Sequence, residues 1–237
     1  MAMTLDELVV QLRLAYGDTL RAVVLYGSGA SEDHIAKRSD YNVLVIADDL
    51  GSERLRAAAA VAGSWADAGN PPPLTLTTAE WRSSADIFPM EYADILERHR
   101  VLDGDFPLDG ITVTRNHLRL EVEQQAMGKL LLLRRGVLAA GGEDKRQVEL
   151  LERSLSTLMT IFRGVVRLHG ESPPAGYEAL AERIGGLAGF ASDPFVRVVR
   201  HVRAEQRLPK GAAADVLSRY LESMERLVKY LDRFAAS

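Results

Sequence analysis

The sequence predicts an α+β chain in two parts: a mixed-sheet α/β domain over residues 1–110, then an all-α helical bundle over residues 111–237. Three observations carry this prediction. Two β-branched apolar runs, residues 20–26 (LRAVVLY) and 41–47 (YNVLVIA), are bounded by turn or polar residues and have the profile of strands covered on both faces. Segments of helical periodicity alternate with such runs through the first half, which is the pattern of a mixed α/β sheet. After Gly104-Asp105-Phe106-Pro107 and Asp109-Gly110 the strand signal stops, and the apolar residues follow helical periods instead.

In chain order, Thr4 and Glu7 form a capping-box pattern, and Leu5, Leu8, Val9 and Leu12 recur at helical spacing, so a first helix runs to about Tyr16 and ends at Gly17-Asp18. The strands 20–26 and 41–47 follow. An Ala-rich segment, about 52–67, is helical by propensity and is stopped by Gly69-Asn70-Pro71-Pro72-Pro73. A short strand at Leu74 to Leu76 leads to Thr77, whose partner Glu80 caps a helix expected through about Ile87. Met90 to Val101 then reads as a further strand. In the second half, helices are expected over about 116–139, 145–168, 177–183, 194–206 and 212–234, with Gly141-Gly142, Pro173-Pro174 and Leu208-Pro209-Lys210-Gly211 as breaks.

Composition narrows the function classes. The 237 residues are 47% hydrophobic, enough for a sizeable core, and the net charge of -4 with a pI near 5.8 provides no global basic field, so neither nucleic acid nor anionic lipid is the expected partner. The absence of cysteine removes disulfides, thiolate metal sites and a cysteine nucleophile, and agrees with a reducing cytosol. The N-terminus lacks the layout of a secretory signal, and the longest apolar stretches, such as Leu130 to Leu133, are far too short to span a bilayer. A soluble cytoplasmic protein with no membrane partner is expected.

The segment with the most chemistry in it is residues 23–46, VVLYGSGASEDHIAKRSDYNVLVI. A Gly27-Ser28 turn leaving a buried strand offers backbone N–H groups and a hydroxyl with little bulk, so phosphates can approach the main chain closely. After a polar loop, Asp40 and Asn42 stand two apart at the start of the next strand, and both side chains leave the same face. Mg²⁺ bridging phosphate oxygens takes only one or two protein carboxylates, so such a face suits it. A third acid on a neighbouring strand would complete a two-metal site, and Glu91 is the candidate; Asp94 competes with it but points to the opposite face if the strand is regular.

On these residues the chain resembles the nucleotidyltransferase superfamily of polymerase-β-like fold, especially its minimal and antibiotic-modifying members, over roughly residues 5–101. The family signature is a hydrophobic strand, Gly-Ser, a loop of about this length, then Asp-x-Asp entering the next strand, with a third acid further on. Gly27, Ser28, Asp40 and Glu91 fall on motif positions, and the helical second half looks like the bundle that often follows such a domain. The resemblance implies nucleotide binding by Gly27 and Ser28, Mg²⁺ held by Asp40 and Glu91, and transfer of a nucleoside monophosphate from an NTP, ATP by preference. The acceptor would be a small molecule or macromolecule with a hydroxyl or phosphate, lying between the two halves. By the same likeness, Lys129 could reach the α-phosphate, and Glu121 or Glu123 could offer a general base.

Asn42 departs from the pattern, since the family has its second aspartate there. A unit charge about 4 Å from a divalent ion contributes roughly 8 kcal/mol at an effective dielectric of 20, before desolvation. Losing it lowers both metal affinity and the stabilisation of the transferring phosphoryl group. Impaired transfer on an intact scaffold is therefore the expectation, with a catalytically silent nucleotide-binding or regulatory protein as the rival and the bundle as a surface for homo-oligomers. Two weaker signals remain. Arg98, His99, Arg100, Arg115, His117 and Arg119 form a basic cluster best read as solvated charges paired with Glu97, Asp103 and Glu121. Arg163 and His169 faintly resemble the spacing of HEPN-type RNases, a reading that requires the two to meet in one cleft.

Overall fold

A computed structural model describes residues 3–30 and 41–234, the side chain of Ser28 excepted. The chain divides into two compact units, Met1–Val113 and Thr114–Ser237. The first contains α1 (Leu5–Tyr16), β1 (Leu20–Tyr26), β2 (Asn42–Ala47), α2 (Ser52–Asp67), β3 (Leu74–Thr77), α3 (Thr78–Ser83), α4 (Pro89–Glu97) and β4 (His99–Gly104). The second contains α5 (Arg115–Ala140), α6 (Asp144–Leu168), α7 (Tyr177–Ala188), α8 (Asp193–Val202) and α9 (Ala213–Asp232).

The sheet order is β3-β2-β1-β4, with β1 antiparallel to both β2 and β4, and β2 parallel to β3. The two central strands are buried on both faces because their side chains alternate between two cores. On one face Val23, Leu25, Val43 and Val45 pack with Leu8, Leu12 and Tyr16 of α1 and Trp65 of α2. On the other, Ala22, Val24, Leu44 and Ile46 pack with Trp81 of α3, Tyr92 and Ile95 of α4, and Phe106. The second core is tied by polar tips: Trp81 Nε1 donates to Pro107 O at 2.8 Å, and the Tyr92 hydroxyl donates to Trp81 O at 2.8 Å while its ring stacks on the indole at 4.3 Å. The capping boxes at Thr4/Glu7 and Thr77/Glu80 form as expected.

Two local expectations are corrected. The helix expected from Thr77 to Ile87 is only Thr78–Ser83, and the strand expected from Met90 to Val101 is mostly helix, α4, with a strand only from His99. Pro89 at the first helical turn and Glu91 beside the N-terminal dipole favour the helix. Met90, Tyr92 and Ile95 are buried by a helical turn, although their sequence also alternates in part as a strand would.

The second unit packs aromatic rings at its centre. Phe162 of α6 meets Phe195 of α8 edge-on at 5.1 Å, and Phe195 lies 4.4 Å from the ring of Tyr220 on α9. The Tyr220 hydroxyl is satisfied in that core by Ser154 Oγ at 2.9 Å. His201 accepts the Leu208 N–H on Nδ1 at 3.0 Å, which leaves its Nε2 to donate to Glu152 at 3.0 Å.

Candidate functional site

The first unit brings several expected residues to one end of its sheet. β1 ends at Tyr26, which pairs with Asn42 at the start of β2 on one side and with His99 at the start of β4 on the other. The chain then turns at Gly27, buried, at φ 70°, opening a 3-10 turn over Gly27–Ala30. The Gly27 N–H donates to Arg98 O at 3.1 Å, so the turn is fastened to the α4–β4 junction.

Two side chains close on this glycine. A Cβ built there would lie 3.4 Å from Asp94 Oδ2 and 3.6 Å from Asn42 Nδ2. Gly27 is favoured by its left-handed backbone, while a side chain there would meet the carboxylate and the amide at ordinary contact distance. Burial, followed by the negative charges of Glu91 and Asp94, pushes the neighbouring Tyr26 hydroxyl up to about 12. Both acids thus project their fields onto the end of β1. They stand three residues apart on α4, the spacing that puts side chains on one helix face.

The expectation of a third acid on a strand beside β2 is corrected. β1 (LRAVVLY) and β3 (LTLT) flank β2, and neither carries an acidic residue. Glu91 instead sits on α4 and is exposed, and it is Asp94, passed over by the strand reading, that reaches Gly27. Asp40 lies outside the described residues, as does the side chain of Ser28. Among the described residues, no group of three or more His, Asp or Glu side chains is placed to hold a metal ion.

The remaining candidates belong to the second unit. Lys129 is half-buried on α5, and burial alone holds its ammonium below the ordinary lysine value. Glu123 pairs with Arg119 one turn away. Arg163 lies over the ring of Tyr177 at 5.6 Å, whereas His169 Nε2 meets the Tyr230 hydroxyl at 2.6 Å and its ring packs against Phe234. The two point to different neighbours, so the RNase-type pairing does not form. Of the basic cluster, Arg115 donates to Leu168 O at 2.9 Å and covers Phe234, and His99 Nδ1 bonds Ile95 O at 2.9 Å.

Fold and sheet geometry together define the class: the chain has the fold of a nucleotidyltransferase α/β domain joined to a helical domain. Among solved structures, a spectinomycin adenyltransferase from Enterococcus faecialis, crystallised with ATP and spectinomycin, matches with a TM-score of 0.60 at 11% identity, over 92% of this chain and 96% of that one. No protein-family model matches the sequence, and no curated protein matches it significantly. Among the described residues, no helix is long and apolar enough to cross a membrane.

Proposed function

We propose that this chain is a nucleotidyltransferase-like protein that binds a nucleoside triphosphate, ATP in the first instance, at the Gly27 turn. Its transfer of the nucleoside monophosphate to a hydroxyl or phosphate acceptor is impaired. The observation that carries the reading is the meeting of Asp94 and Asn42 at a glycine in a left-handed turn at the end of β1. ATP as the nucleotide and a small molecule as the acceptor are supported by the ATP and spectinomycin of the adenyltransferase with the same fold.

The oxygen donors near the turn suit a hard cation such as Mg²⁺. Asp94 and Glu91 would hold it, together with Asp40 as the sequence motif implies, and Ser28 and Lys129 remain proposed phosphate contacts. Bound Mg²⁺ supplies charge neutralisation for the phosphate oxygens. Asn42 orients a ligand through its amide but contributes no charge, which is why transfer is slow on this scaffold.

The second reading, a silent nucleotide-binding protein, is favoured by Asn42, a neutral amide where the motif has its second aspartate. Calorimetric titration of ATP with and without Mg²⁺, followed by transfer assays on wild type and Asn42→Asp, separates the two. Metal-dependent binding with faster transfer by the variant supports the impaired enzyme. Metal-independent binding with no transfer by either protein supports the silent reader, and no binding at all removes the nucleotide reading.

A further inference from the structure

The second unit carries a cation without a counter-charge. Arg163 of α6 is half-buried, and its Nε is shut off from solvent with no hydrogen-bond partner. Among the described residues its guanidinium makes neither a hydrogen bond nor an ion pair. It rests on the ring of Tyr177, the first residue of α7, with Cζ 5.6 Å from the centroid. That contact attracts the charge through the face of the ring and engages none of its N–H donors. A guanidinium does not escape the cost of burial by losing its proton, so an unpaired one calls for an anion. The acids on the neighbouring stretches of chain are already engaged elsewhere: Glu171 by Arg183, Glu178 by Arg200 and Glu152 by His201.

A second cation converges on the same ring. Arg203, just past the end of α8, has its Cζ 5.7 Å from the Tyr177 centroid, so two like charges are brought to one side chain and repel each other until an anion joins them. α7 also begins at this place, with Gly176 as its N-cap and no side-chain hydrogen bond on its first turn, so its positive end adds to the field. We propose that Arg163 and Arg203 hold a phosphate group of a small molecule beside Tyr177. Two planar guanidinium forks match the oxygens of a phosphate, and two positive charges match its dianion better than a single carboxylate. The net charge of -4 disfavours nucleic acid as the bearer of that phosphate. Every residue of this site belongs to the second unit, and none belongs to the Gly27 turn.

The test is thermal unfolding and calorimetric titration of the full chain with inorganic phosphate, against chloride at equal ionic strength. Wild type is expected to bind phosphate saturably and to melt at a higher temperature in it. Arg163→Met keeps an unbranched stem and removes the unpaired charge, so it is expected to be at least as stable as wild type in chloride and to lose the response to phosphate. Arg163→Gln replaces it if it does not fold. Arg203→Gln is expected to weaken phosphate binding by about tenfold or more. Gly27→Ala, in the first unit, is expected to leave phosphate binding unchanged, so this site and the nucleotide reading of the turn stand or fall separately. Competition identifies the source: phosphate displaced by saturating ATP marks a nucleotide phosphate, whereas phosphate that stays bound marks a phosphorylated ligand of another kind, and both support the site. A wild type that phosphate does not stabilise, a variant at Arg163 or Arg203 that responds as wild type does, or loss of phosphate binding in Gly27→Ala overturns the proposal.

Discussion

Asp94, on helix α4, and Asn42, on strand β2, reach the same glycine, Asp94 with a carboxylate oxygen and Asn42 with an amide nitrogen. The space between them admits a methyl group at ordinary contact distance. Its walls are set by the sheet, since Asn42 is held by its pairing with Tyr26, and by the Gly27 N–H bond to Arg98 at the end of α4.

Gly27→Ala is the direct probe of that space. At φ 70° an alanine costs roughly 1–2 kcal/mol, and its methyl group would stand 3.4 Å from the Asp94 carboxylate. The expected outcome is a moderate loss of stability by denaturant titration together with at least a tenfold loss of ATP affinity by calorimetry. Stability lost with affinity unchanged would mean that the triphosphate is not cradled at this turn.

The two acids of α4 are expected to differ. Asp94 borders Gly27 while Glu91 is exposed, so Asp94→Asn should weaken Mg²⁺-dependent ATP binding more than Glu91→Gln does. Calorimetric titrations of both variants at fixed Mg²⁺ measure the difference, and the reverse order would return the leading role to Glu91.

Much of this site was legible in the sequence, and the part that was not has a definite cause. Residues 20–26 and 42–47 read as strands because both of their faces are covered, which leaves an unbroken apolar run. Gly27 and Asn42 were named because turn and strand motifs are local. Asp94 is set aside in an extended reading of Met90-Glu91-Tyr92-Ala93-Asp94-Ile95, because in a strand Asp94 and Glu91 point to opposite faces. In a helix the same three-residue spacing puts them together, and Pro89 before the segment was the signal for the helix. Leu130 to Leu133 all read as core, and only solvent exposure separates Leu130 and Leu133, which are buried, from Leu131 and Leu132, which are not.

Tyr26 gives a pH signature for the same end of the sheet. Its hydroxyl titrates near 12 in the folded chain, above the ordinary tyrosine value. Between about pH 10 and that value the unfolded chain loses the proton first, so this stability contribution is complete below about pH 10 and is lost as pH rises through 12. Tyr26→Phe should therefore unfold less steeply with alkaline pH than wild type, as followed by circular dichroism, and should remove one late-titrating phenol from the ultraviolet titration. Equal alkaline slopes would show that neither burial nor the acids of α4 raise this hydroxyl.

Backbone geometry yields the largest stability effect, and a contrast between two small residues isolates it. Gly104 ends β4 at φ 76°, where that strand pairs with β1 through a register shift, and a Cβ there would overlap the carbonyl oxygen of Arg21. The neighbouring backbone cannot yield without breaking the β1–β4 pairing, so Gly104→Ala combines left-handed strain with overpacking, a loss of roughly 2–5 kcal/mol. Ala204 is the converse case, a non-glycine residue at φ 58° in the turn after α8. Ala204→Gly relieves roughly 1–2 kcal/mol of strain and gives back about 0.5–1 kcal/mol in unfolded-chain entropy, for a net gain of up to about 1.5 kcal/mol. Urea titrations with unchanged slopes should show the two variants moving in opposite directions from wild type. Because Gly104 closes the sheet edge in the first unit and Ala204 lies in the second, a loss for the first variant that left α5–α9 intact in hydrogen exchange would also show that the two units unfold separately.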